Sequence, residues 1–336
     1  MPGMPRATLV LTEPDVARLL DMAAAIRIVR RSTEALARGR AAMPPKVYLP
    51  LPRQSDFRAM PAYLASPPAC GVKWVNVHPH NPQHGLPTVM AVIVLNDPAT
   101  GYPLAVLDGR LITKLRTAAA GAVAAQVLAR PDSRTVGLIG CGAQADAQLV
   151  ALARVLRYRR VQVWGSTLRE AQRFCRRLRP QLPGVQLRPC ATVQHAVHRA
   201  DVVITLTPSR RPLVKRAWLA AGVHINAIGA DARGKQELEP AILREAMVVV
   251  DDREQAVHAG ELNVPVSRGQ FSPRRIHATL GDILLKRAAG RRSRQALTVF
   301  DSTGLAIHDV ALAAEVLRRA RRRGLGLRIT LLAARG

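Results

Sequence analysis

The sequence predicts an α/β protein that combines a doubly wound parallel sheet with a second, α+β unit. From residue 135 to residue 301, short β-forming runs alternate with helical segments at the spacing of βαβ crossovers. A glycine-rich turn follows the first of these runs directly. Before residue 110, the chain instead holds short apolar runs separated by Pro, Gly, Asn and His, which is the pattern of antiparallel strands.

The individual elements follow from apolar periodicity and from turn residues. Residues from about Thr8 to Arg38 are predicted to be largely helical, because Glu13-Pro-Asp is typical of a helix start and apolar residues then recur at helical spacing. In the first part of the chain, strands are predicted at 46–51, 58–62, 71–76, 88–95 and 104–109. In the second part, strands are predicted at 135–139, 161–164, 201–206, 223–228, 247–251 and 297–301, and helices at 111–129, 144–156, 168–178, 193–199 and 306–323.

Length and composition narrow the class of protein. The 336 residues suffice for two domains, and with 48% hydrophobic but only 3% aromatic residues the core must be aliphatic. No apolar run reaches the roughly 18 residues of a membrane span, and Met1–Arg6 lacks the apolar core of a signal peptide. The four cysteines have neither C-x-x-C nor metal-ligand spacing. We therefore expect a cytoplasmic protein with free thiols and no membrane partner.

The formal net charge of +27 raises the question of a nucleic-acid partner. Of the 50 basic residues, 44 are arginines, and their clusters are scattered over several predicted helices with few aromatic residues between them. Base-stacking surfaces need such aromatic residues. We interpret the clusters as solvated helix faces and expect no specific nucleic-acid partner, with polyanion binding as a remote alternative.

The glycine-rich turn has the residues that a dinucleotide-binding turn needs. Gly140 permits a tight turn after the 135–139 strand, Gly142 lets the backbone approach a pyrophosphate, and Ala145 lets the following helix pack closely. The N-terminus of that helix offers free N–H groups to phosphates. The turn therefore predicts a Rossmann-type domain and a dinucleotide redox cofactor.

The end of the second strand leaves the choice of cofactor open. NAD sites usually carry an acid about 20 residues past the glycines, where it binds the ribose 2′-hydroxyl. Here Gly165, Ser166 and Thr167 occupy that place, and the next acid is Glu170. NAD is the expected cofactor, but Ser166, Thr167 and Arg169 are also compatible with the 2′-phosphate of NADP.

Asp231 and three cations are further candidates for the site. Asp231 follows an apolar strand at the edge where an open parallel sheet binds ligands, so it is either a proton acceptor or a turn aspartate. Lys46, Arg58 and Lys73 lie in or beside strands, and strand alternation places Lys73 on a half-buried face. A buried cation needs an anion. That anion is a substrate carboxylate or a structural acid such as Asp108.

A histidine-rich stretch runs from His78 to His84. It contains two prolines and no carboxylate, so we interpret it as a shaped turn and expect no metal.

Motifs along nearly the whole chain resemble those of the ornithine cyclodeaminase/μ-crystallin family. They are Met43-Pro-Pro-Lys46-Val-Tyr-Leu, Arg58-Ala-Met-Pro-Ala, Lys73-Trp-Val-Asn, Gly85-Leu-Pro-Thr88-Val-Met-Ala, Leu115-Arg116-Thr-Ala-Ala, Gly140-Cys-Gly-Ala-Gln, Thr207-Pro-Ser-Arg, His224-Ile-Asn-Ala-Ile-Gly-Ala-Asp231, Gly234-Lys235-Gln-Glu-Leu and Phe300-Asp-Ser302-Thr-Gly. The combination is specific, although the glycine motif alone is not.

The resemblance implies a homodimer and a division of labour along the chain. Residues 1–115, with 305–336 returning, would form a substrate-binding and dimerisation domain, and residues 116–304 a Rossmann dinucleotide-binding domain. By position, Lys73 and Asp231 would be catalytic, and Lys46, Arg58 and Lys73 would bind the substrate. The implied cofactor contacts are Thr88, Arg116, Gly140, Gly142, Ala143, Gln144, Ser166, Thr167, Thr207, Asn226, Ala227, Ile228, Gly229, Lys235 and Ser302.

The resemblance also implies a reaction. The motifs are most similar to the branch of the family that oxidises L-alanine to pyruvate and ammonia with NAD(P), and that carries out the reverse amination. Cyclodeamination of ornithine or lysine and reduction of a cyclic ketimine are the alternatives within the family. A crystallin-like protein without turnover is the remote one. The sequence departs from many NAD-using relatives at Gly165-Ser166, where they carry an aspartate.

Overall fold

The computed structural model describes residues 7–332, so Met1–Arg6, on which the signal-peptide expectation rests, lies outside the described residues. The chain divides into two compact units. One comprises the chain up to Arg116 together with the chain from Leu305, and the other is Thr117–Gly304. Within the described residues, no helix has the length and apolar character needed to cross a membrane.

The elements alternate along the chain. Up to the division in the third helix they are β1 (Thr8–Leu11), α1 (Glu13–Leu19), α2 (Met22–Ala37), β2 (Ala41–Ala42), β3 (Val47–Leu51), β4 (Ser55–Ala65), β5 (Pro68–Val77), β6 (Val89–Asn96), β7 (Pro103–Asp108) and α3 (Arg110–Leu128). Then come β8 (Thr135–Ile139), α4 (Ala145–Ala153), β9 (Arg160–Trp164), α5 (Leu168–Leu178), β10 (Gln186–Pro189), α6 (Val193–Val197), β11 (Val202–Thr205), β12 (His224–Ala227), α7 (Pro240–Glu245), β13 (Met247–Val250), α8 (Arg253–Ala259), α9 (Asn263–Ser267), β14 (Ala278–Thr279), α10 (Leu280–Leu284), β15 (Thr298–Asp301), α11 (Ala306–Arg323) and β16 (Leu327–Ile329).

The first unit is built on one sheet with the strand order β16-β1-β7-β6-β5-β4-β2, and β3 also pairs with β4. The predicted antiparallel strands are confirmed, and among the strands of residues 7–332 in this sheet only the pairing of β1 with β7 is parallel. The stretch from about Thr8 to Arg38 is largely helical, as predicted, but its first residues, Thr8–Leu11, form a strand that was not predicted. These four residues form a short buried run that pairs with β7, and the helix starts only at Glu13, after a capping box at Thr12.

The two faces of this sheet differ. One face, which includes Met60, Lys73 and Ile93, is buried and packs against helix α11. On the opposite face, Trp74 and Val92 pair across β5 and β6 and are 44% and 46% exposed. The side chains alternate between the faces because successive residues of a strand point to opposite sides.

The second unit is a doubly wound parallel sheet, as predicted, with the order β10-β9-β8-β11-β12-β15-β13-β14. The six strands predicted in this part of the chain are present. The edge strands β10 and β14 were not predicted, since β10 buries only Leu187 and β14 has two residues. The strand order reverses between β8 and β11. This is the switch point at which such sheets bind ligands at the carboxyl ends of the strands.

Candidate functional site

Four side chains of the first unit form a buried group that we call the cation cluster: Lys73, Thr113, Arg116 and Asp309. Lys73 Nζ lies 2.7 Å from Asp309 Oδ2 and 3.3 Å from Thr113 Oγ1. Arg116 Nε donates to the other oxygen of Asp309, Oδ1, at 3.1 Å. Strand β5 supplies Lys73, helix α3 supplies Thr113 and Arg116, and the first turn of α11 supplies Asp309.

Burial sets the electrostatics of the cation cluster. Lys73 is fully buried, and this burial, together with the nearby Arg116 and Lys46 charges, lowers the pKa of the Lys73 ammonium to about 7 despite the pairing with Asp309. Burial alone would raise the pKa of Asp309, but the charges of Arg116 and Lys73 outweigh it and hold that pKa below its usual range. The cluster therefore contains an ionised carboxylate beside a lysine that titrates near neutral pH.

The other two predicted substrate cations, Lys46 and Arg58, belong to the same unit. Arg58 is on the same face of the sheet as Lys73, because it pairs across β4 and β5 with Val75. Its guanidinium makes two hydrogen bonds to Asp56, at 2.8 and 3.0 Å, and lies over the Tyr48 ring. The structure thus supplies a carboxylate partner for both Arg58 and Lys73, which is the arrangement of the salt-bridge interpretation. A substrate role for these cations stays a prediction.

The glycine-rich turn of the second unit has room for a ligand where the sequence requires it. Gly140 has φ +110°, which disfavours other residues, and a Cβ there would lie 3.1 Å from the carbonyl oxygen of Leu206. A Cβ on Gly142 would meet nothing within 4 Å, so its backbone borders open space. Ala145 is fully buried at the start of α4, and the buried Oε1 of Gln144 lacks a hydrogen-bond partner within residues 7–332. The turn therefore fits a bound pyrophosphate.

A buried glutamate fixes the loops that follow strands β11 and β12. Glu237 Oε1 accepts hydrogen bonds from the Thr207 N–H and Oγ1, both at 2.7 Å, and Oε2 accepts from the Gly229 N–H at 3.0 Å. Burial raises the pKa of Glu237 to about 7, although the hydrogen bonds from Thr207 and Gly229 oppose this. Two predicted cofactor contacts, Thr207 and Gly229, are thus held by one side chain.

Two further buried acids, Glu261 and Asp251, accept hydrogen bonds from neighbouring loops. Glu261 accepts hydrogen bonds from the N–H groups of Glu237 and Leu238, at 2.6 to 3.0 Å. Asp251 accepts from Ser302 Oγ at 3.4 Å and from the Gly304 N–H at 2.7 Å. Ser302, another predicted cofactor contact, therefore lies in a loop that a carboxylate holds in place.

Asp231 and Lys235, both singled out from the sequence, form an ion pair of 2.6 Å. The Asp231 side chain is 33% exposed, so a ligand can reach it. Asn226 is different, because its amide is used inside the unit. Its Nδ2 donates to the Gly121 carbonyl at 3.1 Å, and its Oδ1 contacts His224 Nε2 at 3.0 Å.

The remaining predicted cofactor contacts are spread over both units. Thr88 precedes β6 in the first unit, and its carbonyl accepts from the His78 N–H at 2.8 Å. Ser166 and Thr167 follow β9, where Thr167 Oγ1 caps helix α5. Ala143 lies in the glycine-rich turn, and Ala227 and Ile228 are buried at the end of β12.

Several buried acids of these arrangements were not singled out from the sequence. Asp309 is the acid that pairs with Lys73, whereas Asp108, the partner considered first, accepts from the Arg110 and Leu111 N–H groups at the start of α3. Glu237 follows Lys235 in a motif that was noted, but nothing local indicates that Glu237 is buried.

The histidine-rich stretch forms a 3₁₀ turn over Asn81–His84, which Gly85 ends in the left-handed region. Across residues 7–332, no group of three or more His, Cys, Asp or Glu side chains is arranged to hold a metal ion.

A doubly wound sheet with an open glycine-rich turn, accompanied by a unit with buried cations, defines a class of two-unit dinucleotide-binding proteins. The sequence profile of the ornithine cyclodeaminase/mu-crystallin family matches residues 6–324, and the chain belongs to this family. The resemblance seen in the motifs is thereby confirmed.

Three similar proteins indicate the chemistry of the family. Alanine dehydrogenase of Archaeoglobus fulgidus is 47% identical over 322 residues, which is 96% of this chain and 98% of that protein. A solved archaeal alanine dehydrogenase dimer with bound NAD has a TM-score of 0.92 at 46% identity, covering 97% of this chain and 100% of that chain. Thermococcus litoralis Delta(1)-pyrroline-2-carboxylate reductase, in complex with NADH and L-proline, has a TM-score of 0.93 at 34% identity and covers 96% and 100%. The chain thus falls among oxidoreductases and cyclodeaminases, which supports the expectation of an enzyme.

Proposed function

We propose that the protein catalyses the NAD-dependent oxidative deamination of L-alanine and the reverse reductive amination. L-alanine, water and NAD⁺ give pyruvate, ammonium, NADH and a proton. The observation that carries this proposal is the buried cation cluster, because a desolvated pair of cations suits a small amino-acid carboxylate. The similarity to archaeal alanine dehydrogenases supports the choice of L-alanine.

We assign Lys73 and Arg116 to the substrate carboxylate, which gives Arg116 a different role from the cofactor contact that the resemblance implies. The Nε of Arg116 is used by Asp309, but its two Nη groups have no hydrogen-bond partner within the described part of the chain. These groups present the planar donor pair that matches a carboxylate. Lys73, whose Nζ donates to Asp309 and Thr113, adds a further N–H donor, which the amine keeps in its neutral form. Holding the carboxylate fixes the orientation of the α-carbon, which is mainly a positioning effect.

Lys73 and Asp231 are the residues that we assign to proton transfer. A lysine with a pKa of about 7 can accept a proton from water or from the substrate amine at neutral pH. Asp231, an accessible carboxylate of the second unit, is the second residue that we assign to proton transfer. NAD supplies the hydride acceptor when bound, and the residues of the chain hold the substrate and move the protons.

The second unit fits this cofactor. The open backbone at Gly142 and the loops held by Glu237 provide a turn for the pyrophosphate and ordered loops for the rest of the dinucleotide. Two of the similar proteins are described with bound NAD or NADH.

We further propose a homodimer that uses the open face of the first unit's sheet. Tyr63, Trp74 and Val92 are 41%, 44% and 46% exposed on adjacent strands, and Phe57 stacks on Trp74 with ring centroids 5.1 Å apart. Large apolar patches of this kind mark protein–protein contacts. A second copy of the chain is the occupant, since a similar structure is a dimer.

A reductase acting on Δ1-pyrroline-2-carboxylate is the second candidate, because the structure of such an enzyme matches this chain with a TM-score of 0.93. One panel of assays separates the functions. NADH formation from L-alanine and NAD⁺ is expected. NADH consumption with Δ1-pyrroline-2-carboxylate but no reaction with L-alanine would favour the reductase. Proline or pipecolate from ornithine or lysine, without net NADH, would favour a cyclodeaminase.

A further inference from the structure

The end of strand β9 lacks the expected acid, but a carboxylate reaches this place from the next helix. Glu170, in the first turn of α5, folds back toward the strand. Its Oε2 accepts hydrogen bonds from the Ser166 N–H at 2.8 Å and from Ser166 Oγ at 2.7 Å. Both bonds use Oε2. The other carboxylate oxygen, Oε1, has no hydrogen-bond partner within residues 7–332.

This carboxylate lies beside the glycine-rich turn. A Cβ built on Gly165 would lie 2.9 Å from Glu170 Oε2 and 3.1 Å from Cys141 Sγ, and Cys141 stands between the two glycines of the turn. Burial, with the negative charge of Glu170 nearby, raises the pKa of the Cys141 thiol to about 12. Glu170 therefore occupies the region next to the turn in which doubly wound sheets bind the adenosine ribose.

We propose that Glu170 selects NAD over NADP, by accepting a hydrogen bond from the ribose 2′-hydroxyl and repelling a 2′-phosphate. The inference rests on the nicotinamide cofactor of the proposed function. Glu170, from the helix that follows β9, would take the place of the strand-end aspartate that this chain lacks. Ser166 orients the carboxylate, and the free Oε1 is the acceptor.

A purely structural role for Glu170 makes a different prediction. Glu170 lies at the start of α5, and its backbone N–H donates to Thr167 Oγ1, so the residue also contributes to the helix N-terminus. Loss of a helix cap would weaken NADH and NADPH binding alike. Loss of a selectivity residue changes their ratio, because the carboxylate attracts one cofactor and repels the other.

The test measures cofactor binding to the full chain without substrate, by the fluorescence of NADH and NADPH, for the wild type, Glu170→Gln and Glu170→Asp. Wild type is expected to prefer NADH. In Glu170→Gln, NADH binding should weaken about tenfold, the scale of one hydrogen bond to a charged group. NADPH binding should be unchanged or stronger, since Arg169 and Arg177 remain. Glu170→Asp, which keeps the charge, should retain a preference for NADH.

The matched control is Glu254→Gln, which removes the same charge from the first turn of α8 at the far side of the sheet from β9. It should leave both affinities unchanged. An equal loss of NADH and NADPH affinity in Glu170→Gln, or a wild type that prefers NADPH, would overturn the inference. A wild type that binds neither cofactor would refute the proposed function itself. Binding of NADH without oxidation of L-alanine would refute only the assigned reaction.

Discussion

In the first unit, two buried cations surround one carboxylate. In the second unit, buried glutamates instead accept hydrogen bonds from backbone N–H groups and from one hydroxyl. In the cation cluster, Asp309 joins Lys73 and Arg116 and leaves the Nη groups of Arg116 available. In the second unit, Glu237 joins the loops at Thr207 and Gly229. The first arrangement is suited to a ligand anion, and the second fixes backbone that a cofactor would contact.

Each unit also holds one buried group that titrates near neutral pH. The pKa of Lys73 is lowered to about 7, and that of Glu237 is raised to about 7, in both cases mainly by burial. They lie in different units, so variants of each unit should affect different measurements. If the division of roles is correct, the cation cluster controls reaction with the amino acid, and Glu237 controls cofactor binding.

The largest expected effect is that of Lys73→Met. We expect kcat/KM for L-alanine to fall about 10³-fold, because the variant removes both a carboxylate ligand and a proton acceptor. NADH affinity should change less than about threefold, since the substitution leaves the residues of the glycine-rich turn unchanged. Steady-state kinetics and NADH titration measure the two quantities. Lys215→Met, which removes an exposed lysine, is the control. Equal losses of NADH affinity and of kcat/KM would contradict the division of roles.

Glu237→Gln should have the opposite pattern and a smaller effect. An amide cannot accept from both the Thr207 N–H and the Gly229 N–H with its two ends, so one loop loses its partner. We expect NADH affinity to fall about tenfold, the scale of one lost hydrogen bond to a charged group, with little change in the KM for L-alanine. Glu239→Gln, two residues further along, should leave NADH affinity unchanged. A raised KM for L-alanine with normal NADH affinity would contradict this account.

The smallest expected effect is in the pH profiles. If Lys73 must be neutral to accept a proton, kcat/KM for L-alanine should fall as the pH drops below about 7. The titration of Glu237 should instead appear in the free energy of unfolding. Its pKa in the folded protein is raised above the ordinary 4.5, so its contribution to stability is present below that value and is lost as the pH rises toward about 7.

Glu237→Gln should therefore reduce the stability change between about pH 4.5 and 7, to which the buried Glu261 also contributes, and leave the kinetic midpoint in place. Thermal unfolding and kcat/KM, each measured across this range, provide the comparison. A kinetic midpoint that disappears in Glu237→Gln would assign the kinetic titration to the second unit instead.

The parts that could be predicted from the sequence are those with local signals. Gly140, Gly142 and Ala145 act within one turn, and the apolar runs on both sides of this turn predict the strand before it and the helix after it. Strand alternation likewise places Lys73 on the same face of a half-buried strand as Val75, and both side chains are buried in the structure. Thr8–Leu11 was missed because four apolar residues before a helix start do not distinguish a strand from an early helical turn.

The partners of the buried charges could not be predicted, because they depend on tertiary contacts. Lys73 and Asp309 are 236 positions apart, and only the packing of α11 on the sheet brings them together. Glu237 is equally hidden, since a glutamate after Lys235 is normally exposed. The missing acid at the end of β9 is another such case, because Glu170 reaches that position only through the geometry of the first turn of α5.

The most direct test of the account uses L-alanine deuterated at the α-carbon. Purified full-length protein is incubated with this substrate and NAD⁺, and the reduced cofactor is analysed by mass spectrometry. We expect the deuterium to appear in the reduced nicotinamide together with stoichiometric pyruvate, and we expect Lys73→Met to abolish both. Reduced cofactor without deuterium, or no turnover of L-alanine by a protein that binds NADH, would contradict it.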